Sequence, residues 1–349
     1  MNEWHDILPF LQNERLVWYS QCSALFSIVS KRYIQHAQWK KLGLKQCAEN
    51  GDLSGVRYLV ERCGADVHAQ NEKGLRLASE NGHVQLVRFL VGEGADVHAM
   101  DEEALRSAST NGHLEVVKYL VLECGADVQA WDDSALQWAS SNGHLEVVKY
   151  LVEQGANVYA CNERALRLAS SNGHLEVVKY LVETGKADVH ACDDYALLRA
   201  SMYGHLEVIR YLVEKGADVH AFDDSALRSA SRNGHLEVVR YLVEVGGADV
   251  HADDEEALQM ASIYGHLEVV KYLVEKGGAD VHAEHNFALR WASENGHLEV
   301  VRYLVETGVA DVHAGNDAAL AWASRCGNLE VVKYLESKGA RNQKFCLLL

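Results

Sequence analysis

Histidines, paired carboxylates and cysteines are the residues of this chain whose types could do chemistry. Of 18 histidines, eight stand directly after a glycine (His83, His113 and their copies) and seven sit in a Val-His-Ala context (His68, His98, His190, His220, His251, His282, His313). A metal centre needs three or four such ligands converging on one ion. Histidines locked to a period form two ladders instead, with rungs about 10 Å apart if each repeat adds one packed helix layer. Hydrogen bonding at helix starts and in loops is their expected use; no metal and no cofactor is expected. The acid pairs Asp132-Asp133, Asp193-Asp194, Asp223-Asp224 and Asp254-Glu255 could act as general acid and base. A catalytic pair would be unique, and these recur, so they are expected to open helices, where carboxylates are favoured. Their summed field along one edge is expected to attract a basic patch on a partner.

The eight cysteines form no C-x-x-C pair, which removes the zinc-knuckle signature. The first ten residues carry Glu3 and Asp6 and no basic start, unlike a secretory signal. The cysteines are therefore expected to be reduced thiols, and the protein cytoplasmic. Motifs for phosphate cradling, a nucleophile elbow, a metalloprotease or a kinase are missing from the sequence. No catalytic residue is assigned and an enzyme is not expected.

The elements that position these residues follow from composition and period. The chain has 349 residues, with 33 Lys plus Arg against 50 Asp plus Glu, a net charge of -17. That excess argues against a nucleic-acid partner, whose phosphates are bound by Lys and Arg. An apolar content of 48% is enough for a folded core. Proline occurs once, at Pro9, which points to regular helices joined by Gly, Asn and Asp turns. No run of eighteen apolar residues marks a membrane-spanning helix.

Asn-Gly-His or Tyr-Gly-His recurs with its glycine at 82, 112, 143, 173, 204, 234, 265 and 296, and diverged copies at Gly51 and Gly327 extend the series; the spacing is 30 or 31 residues throughout. Such a period is the mark of a repeat architecture. One copy, residues 101–131, reads DEEALRSASTNGHLEVVKYLVLECGADVQAW. It predicts a first helix from about Glu102 to Thr110 with Ala104, Leu105 and Ala108 on one face. Asn111-Gly112 ends that helix. A second helix starts at His113, with Leu114, Val117 and Val121 on one stripe and Val116 and Leu120 widening it. The alternation in length is assigned to the loop after the second helix, where Gly94-Ala95 is direct and Gly185-Lys186-Ala187 carries one more residue. Glu115 and Lys118 are expected to be a solvated helix pair. A two-helix unit this short cannot bury its apolar stripe alone, so the copies must stack into a solenoid.

Gly-His-Leu-Glu-Val-Val-Lys-Tyr-Leu-Val-Glu and Gly-Ala-Asp-Val-His-Ala, in ten in-phase copies, resemble the ankyrin repeat. The resemblance covers almost nine tenths of the chain and implies an all-α ankyrin solenoid of about ten units over residues 40–344. The usual Thr-Pro-Leu-His opening is replaced by Glu103-Ala104-Leu105-Arg106. The unit is also shorter than the family's thirty-three residues, so the β-hairpin tip is expected to be stunted or replaced by a plain loop. This shortened form resembles arrays abundant in giant DNA viruses of amoebae, which implies host cytoplasm.

The informative positions vary inside the constant frame. The resemblance places them on a concave face that binds a protein partner. Trp131, Ser134, Arg164, Tyr195, Met202, Tyr203 and Phe222 are the candidate partner-binding residues. Aromatics on a polar strip have the composition of an interface hot spot; the alternative is that the rings fold back onto neighbouring repeats. Trp138, Trp291 and Trp322 lie between a core Leu and a core Ala, and burial is expected for them. The expected state is a monomer.

The two ends depart from the period. Residues 1–39 carry apolar positions spaced as short helices and are expected to form a helical cap on the first repeat. Ser27 through Tyr33, with Ala37 and Trp39, is also similar to the third helix of an F-box. That resemblance implies docking on the adaptor subunit of a cullin-type ubiquitin ligase, with Val29 and Tyr33 as adaptor-binding residues. The last six residues, Lys344-Phe345-Cys346-Leu347-Leu348-Leu349, place Cys346 in a C-a-a-X box of the geranylgeranyl type within the tail 345–349. The consequence would be a reversible membrane tether through one prenyl group. The plainer alternatives are a cap at the start and three leucines covering the last repeat at the end.

Overall fold

The computed structural model describes residues 43–341, and all regular structure among them is helical. The chain divides into two compact units, one running to Ala130 and one beginning at Trp131. Both are built from helix pairs of the same kind. In the first unit, Ala99–Thr110 is followed by Leu114–Lys118 and its continuation Tyr119–Glu123. In the second, Ala191–Tyr203 is followed by Leu206–Glu214, and the series closes with Ala314–Cys326 and Leu329–Ser337. Within each unit, a first helix packs on the first helix of the next repeat and on its own second helix, while second helices pack on second helices.

This packing makes the apolar pattern intelligible. Ala104, Leu105 and Ala108 are buried, as are Val116, Val117 and Leu120. The expected second-helix stripe is thereby rotated, because Leu114 and Val121 are only half-buried. The second helix meets its own first helix and its neighbours' second helices at once, so the contact centres on the corner formed by i, i+1 and i+4. The burial expected for the tryptophans is also corrected. Trp138 is exposed, and Trp291 and Trp322 are half-buried. At 3.6 residues per turn, Trp138 is rotated about 200° from core Leu136 and emerges on the outer side of the first helix.

The loop between repeats contains no strand among the described residues. In place of a hairpin tip, three successive residues take left-handed backbone angles: Met100, Asp101 and Glu102 at φ 55°, 53° and 62°. The same turn recurs in the later copies, for instance at Cys192, Asp193 and Asp194. The right-handed helix therefore starts after the acids, at Glu103, and the acids do not open it. A left-handed turn costs L-residues about 1–2 kcal/mol each, so its survival calls for bonds that hold it; these are part of the site below.

The extra residue of the longer copies is absorbed as expected, after the second helix. The Gly185 N–H donates to the Tyr180 carbonyl at 3.0 Å, a wide i→i−5 turn. The next residue then takes positive φ: 61° at Lys186, 77° at Gly278 and 60° at Val309. No helix among the described residues is long and apolar enough to cross a membrane.

Candidate functional site

Two ladders of hydrogen bonds hold the repeats in register and thereby fix the variable face. The first uses the Gly-His motif. His205 Nε2 lies 3.0 Å from the Ser171 carbonyl, His235 Nε2 3.0 Å from that of Met202 and His266 Nε2 2.9 Å from that of Arg232. Facing a carbonyl, Nε2 must carry the proton and donate it, which satisfies an orphan acceptor at the end of the preceding repeat's first helix. The ring lies against that repeat's turn glycine: a Cβ on Gly173 would stand 2.5 Å from His205 Nδ1. In the last repeat Asn328 replaces histidine, and its Nδ2 donates to the Ser293 and Glu294 carbonyls at 3.0 and 2.6 Å. His174, whose Nε2 bonds the Ser141 carbonyl, has its pKa lowered chiefly by burial.

The second ladder runs through Gly-Ala-Asp-Val-His-Ala. Asp218 Oδ1 accepts the His220 N–H at 2.9 Å, and His220 Nδ1 lies 3.1 Å from Asp224 Oδ1. Asp224 in turn accepts the Asp249 N–H of the following loop at 3.0 Å. In the first unit the same chain runs from His98 to Glu102 to the Asp127 N–H. These bonds hold the left-handed turn. They also correct the reading of the acid pairs. The second member of each pair, Asp133, Asp194, Asp224 or Glu255, is buried, while the first remains exposed. Only half of the expected acidic edge therefore faces solvent. The glutamate hydrogen bond raises the pKa of His68, His98 and His251 above the ordinary histidine value. Tyr159 takes the histidine place before Glu163, and burial raises the Glu163 carboxyl.

The second helices add a third link. Tyr272 Oη donates to Glu244 Oε1 at 3.1 Å and Tyr334 Oη to Glu306 Oε1 at 3.0 Å. Burial, then the carboxylate acceptor, pushes both phenols up to about 12. Lys118 and Glu115 form the expected exposed pair at 3.2 Å. Cys124, Cys161, Cys192 and Cys326 are free thiols. No group of three or more His, Cys, Asp and Glu among the described residues could hold a metal ion.

What varies from repeat to repeat is the outer side of the first helices and the turn before them. Trp131 and Phe222 occupy the left-handed turn and are 63% and 54% exposed; Tyr203 is 48% exposed. Arg164 is exposed, and Tyr195 and Met202 are half-buried. Ser134 is 4% exposed and is removed from the surface set.

The structure brings Arg164 and Tyr195 together in an open groove of about 360 Å³, lined also by Cys161, Arg167, Leu168, Ser171 and Arg199. Arg199 binds its surroundings at several points: Nε and Nη2 donate to Ser171 Oγ at 3.3 and 3.2 Å, and Nη2 donates to Tyr203 Oη at 3.1 Å. Its guanidinium lies 4.9 Å from the Tyr203 ring centre, and Arg167 lies 5.5 Å from that of Tyr195. Met202 Sδ takes a further contact from Arg199 at 3.6 Å. Trp131 and Phe222 do not line this groove.

Arg167, Arg199 and Trp138 were missed as surface candidates because they lie inside the Ala-Leu-x-x-Ala-Ser frame, which reads as core. The two x positions are not constant, as Gln137-Trp138 and Leu198-Arg199 against Arg106-Ser107 show, and that variation is the available signal. Val29, Tyr33 and Cys346, like the cap and the tail, lie outside the described residues.

Among families of known sequence pattern, the one described as ankyrin repeats in three copies matches residues 44–132, 129–193, 197–285 and 278–345. No curated protein matches the chain by sequence.

Proposed function

The chain belongs to the ankyrin-repeat family, and from that premise we propose that the outer face of its first helices docks a protein partner without catalysis. One observation carries this reading. Core and ladder residues recur almost unchanged, whereas this face and the turn before it differ between repeats and expose large aromatic side chains to water. Trp and Tyr beside Arg, on a scaffold that needs no reordering, are the side chains that concentrate binding energy at interfaces. By resemblance to the family, this face is expected to be the concave one. The test is affinity capture from amoebal cytosol with the full-length chain and its Trp131→Ala/Phe222→Ala variant, with Leu122→Ala as an exposed control. Preys lost in the double variant alone are the expected outcome. An identical prey set for all three would refute the reading.

A more specific role rests on residues 1–39 and 345–349. Their likeness to an F-box and to a prenylation box supports a substrate-recruiting adaptor for a cullin-type ligase, tethered reversibly to a membrane through Cys346. The competing role is a plain scaffold or inhibitor with residues 1–39 as a cap. Val29→Asp/Tyr33→Asp should abolish co-purification of a ligase adaptor while sparing the other preys. Cys346→Ser should remove a geranylgeranyl mass from the purified protein. A wild-type chain that captures no ligase subunit and carries no lipid would leave the scaffold role.

A further inference from the structure

We infer that the groove between the first helices Ala160–Ser171 and Ala191–Tyr203 is a receptor for an acidic segment of the protein partner, read through its carboxylate or phosphate oxygens. This rests on the docking role proposed above and names the chemistry of what is docked. The chain carries a net charge of -17, and two arginines in the same place in other repeats are spent on it. Arg106 pairs with Glu103, and Arg228 pairs with Asp253 at 2.6 Å and with Glu256. The groove differs. Arg164, Arg167 and Arg199 line it together, and among the described residues none of the three forms an ion pair.

The nearby acids offset this charge only in part, Glu163 through its interaction with Arg167. Glu163 and Asp194 are buried; Asp194 Oδ1 lies 3.1 Å from His190 Nδ1 and accepts the Asp218 N–H at 2.9 Å. Asp193 is exposed in the turn, outside the groove lining. Arg167 Nη2 donates to the Cys161 carbonyl at 2.8 Å, yet its Nε is buried without an acceptor. That nitrogen is closed to solvent, as is Arg290 Nε, so Arg167 can meet a ligand only through the outer end of its guanidinium. Arg199 is held by Ser171 and Tyr203 with its charge unanswered. Guanidinium groups fixed against tyrosine rings are preorganised donors for planar or tetrahedral oxyanions. The open form of the groove suits a side chain on an extended segment rather than an enclosed small molecule.

The experiment uses the full-length chain and fluorescein-labelled peptides read by anisotropy at low salt. The probes are hexaglutamate, hexaglutamine, and a neutral peptide with tyrosine or phosphotyrosine at its centre. Hexaglutamate or the phosphotyrosine peptide should bind and its uncharged counterpart should not, and whichever binds names the oxyanion. Arg164→Gln and Arg167→Gln/Arg199→Gln should each weaken binding by about tenfold or more, the scale of one charge-assisted contact. Arg240→Gln, on a second helix beside Glu237, should leave it unchanged. Arg164 makes no hydrogen bond among the described residues and is exposed, so its substitution keeps the test valid if the double variant misfolds.

Equal binding of charged and uncharged probes, or equal binding by Arg164→Gln, overturns the inference. So does displacement of the peptide by a single-stranded oligonucleotide, which would point to another class of ligand. If the acidic probes fail while Trp131→Ala/Phe222→Ala still loses its preys, docking on this face stands and only the acidic reading falls.

Discussion

Replacing Gly173 by alanine separates two demands that the repeat places on one atom. Gly173 has φ 77°, where an L-residue costs about 1–2 kcal/mol more than glycine. The added Cβ would also stand 2.5 Å from His205 Nδ1. The ring cannot retreat without giving up its 3.0 Å bond to the Ser171 carbonyl, worth about 1 kcal/mol. Overpacking of this kind costs about 1–3 kcal/mol. The sum is about 2–5 kcal/mol for Gly173→Ala.

Gly278 supplies the internal control, with the same φ of 77° and nothing within 4 Å of a new Cβ. Gly278→Ala should lose only the backbone share, about 1–2 kcal/mol. Removing the ring by His205→Ala should bring the further cost of Gly173→Ala down to that same value. Urea unfolding monitored by circular dichroism gives each midpoint, with unchanged m-values as the condition for comparison. The cycle Gly173→Ala, His205→Ala and the double variant should show a coupling of about 1–3 kcal/mol. Additive single costs, or equal losses at Gly173 and Gly278, would refute the claim that the histidine ring reads the glycine of the preceding repeat.

Four further outcomes follow from named positions. Val309 is 70% exposed with φ 60°, so Val309→Gly should stabilise by about 0.5–1 kcal/mol in the same assay, the strain relieved exceeding glycine's entropy cost. Ser201 is fully buried and its Oγ has no hydrogen-bond partner; Ser201→Ala should be neutral or stabilising by up to about 1 kcal/mol, whereas a clear loss of stability would show that the hydroxyl is satisfied. The raised pKa of His98 and His251 means that the folded chain holds their protons more tightly, so this contribution is complete below the unfolded histidine pKa and is lost as pH rises through the folded value. Thermal scans between about pH 6 and pH 8 should show that decline, reduced in His98→Asn and His251→Asn. Tyr159→His should give Glu163 the histidine partner it lacks and raise stability by about 0.2–1 kcal/mol, with the gain largest at mildly acidic pH, where the histidine is protonated.

The glycine spacing alone carried the architecture. A period of 30 or 31 residues with Ala104, Leu105 and Ala108 on one helix face and a second stripe read as Leu114, Val117 and Val121, widened by Val116 and Leu120, leaves stacking of helix pairs as the way to bury both. The place of the extra residue, the ends of the helices at Asn-Gly, the solvated Glu115–Lys118 pair and the variability of the first-helix face were also legible, because they depend on neighbours within a few positions. Packing decided the rest. Asp224 beside Asp223 reads like any helix-opening carboxylate, yet one is buried and the other is in water, because only Asp224 is reached by His220 and by the Asp249 N–H of the next loop. Trp138 reads as core because its neighbours Leu136 and Ala139 are core, and rotation around the helix puts it outside. The arginine groove has no local signature: Arg164 and Arg167 stand a full repeat from Tyr195 and Arg199, and stacking closes that separation. Sequence specifies what is periodic and local. Which polar groups spend their charge on each other, and which keep it for a partner, depends on distances across repeats that only the packed structure sets.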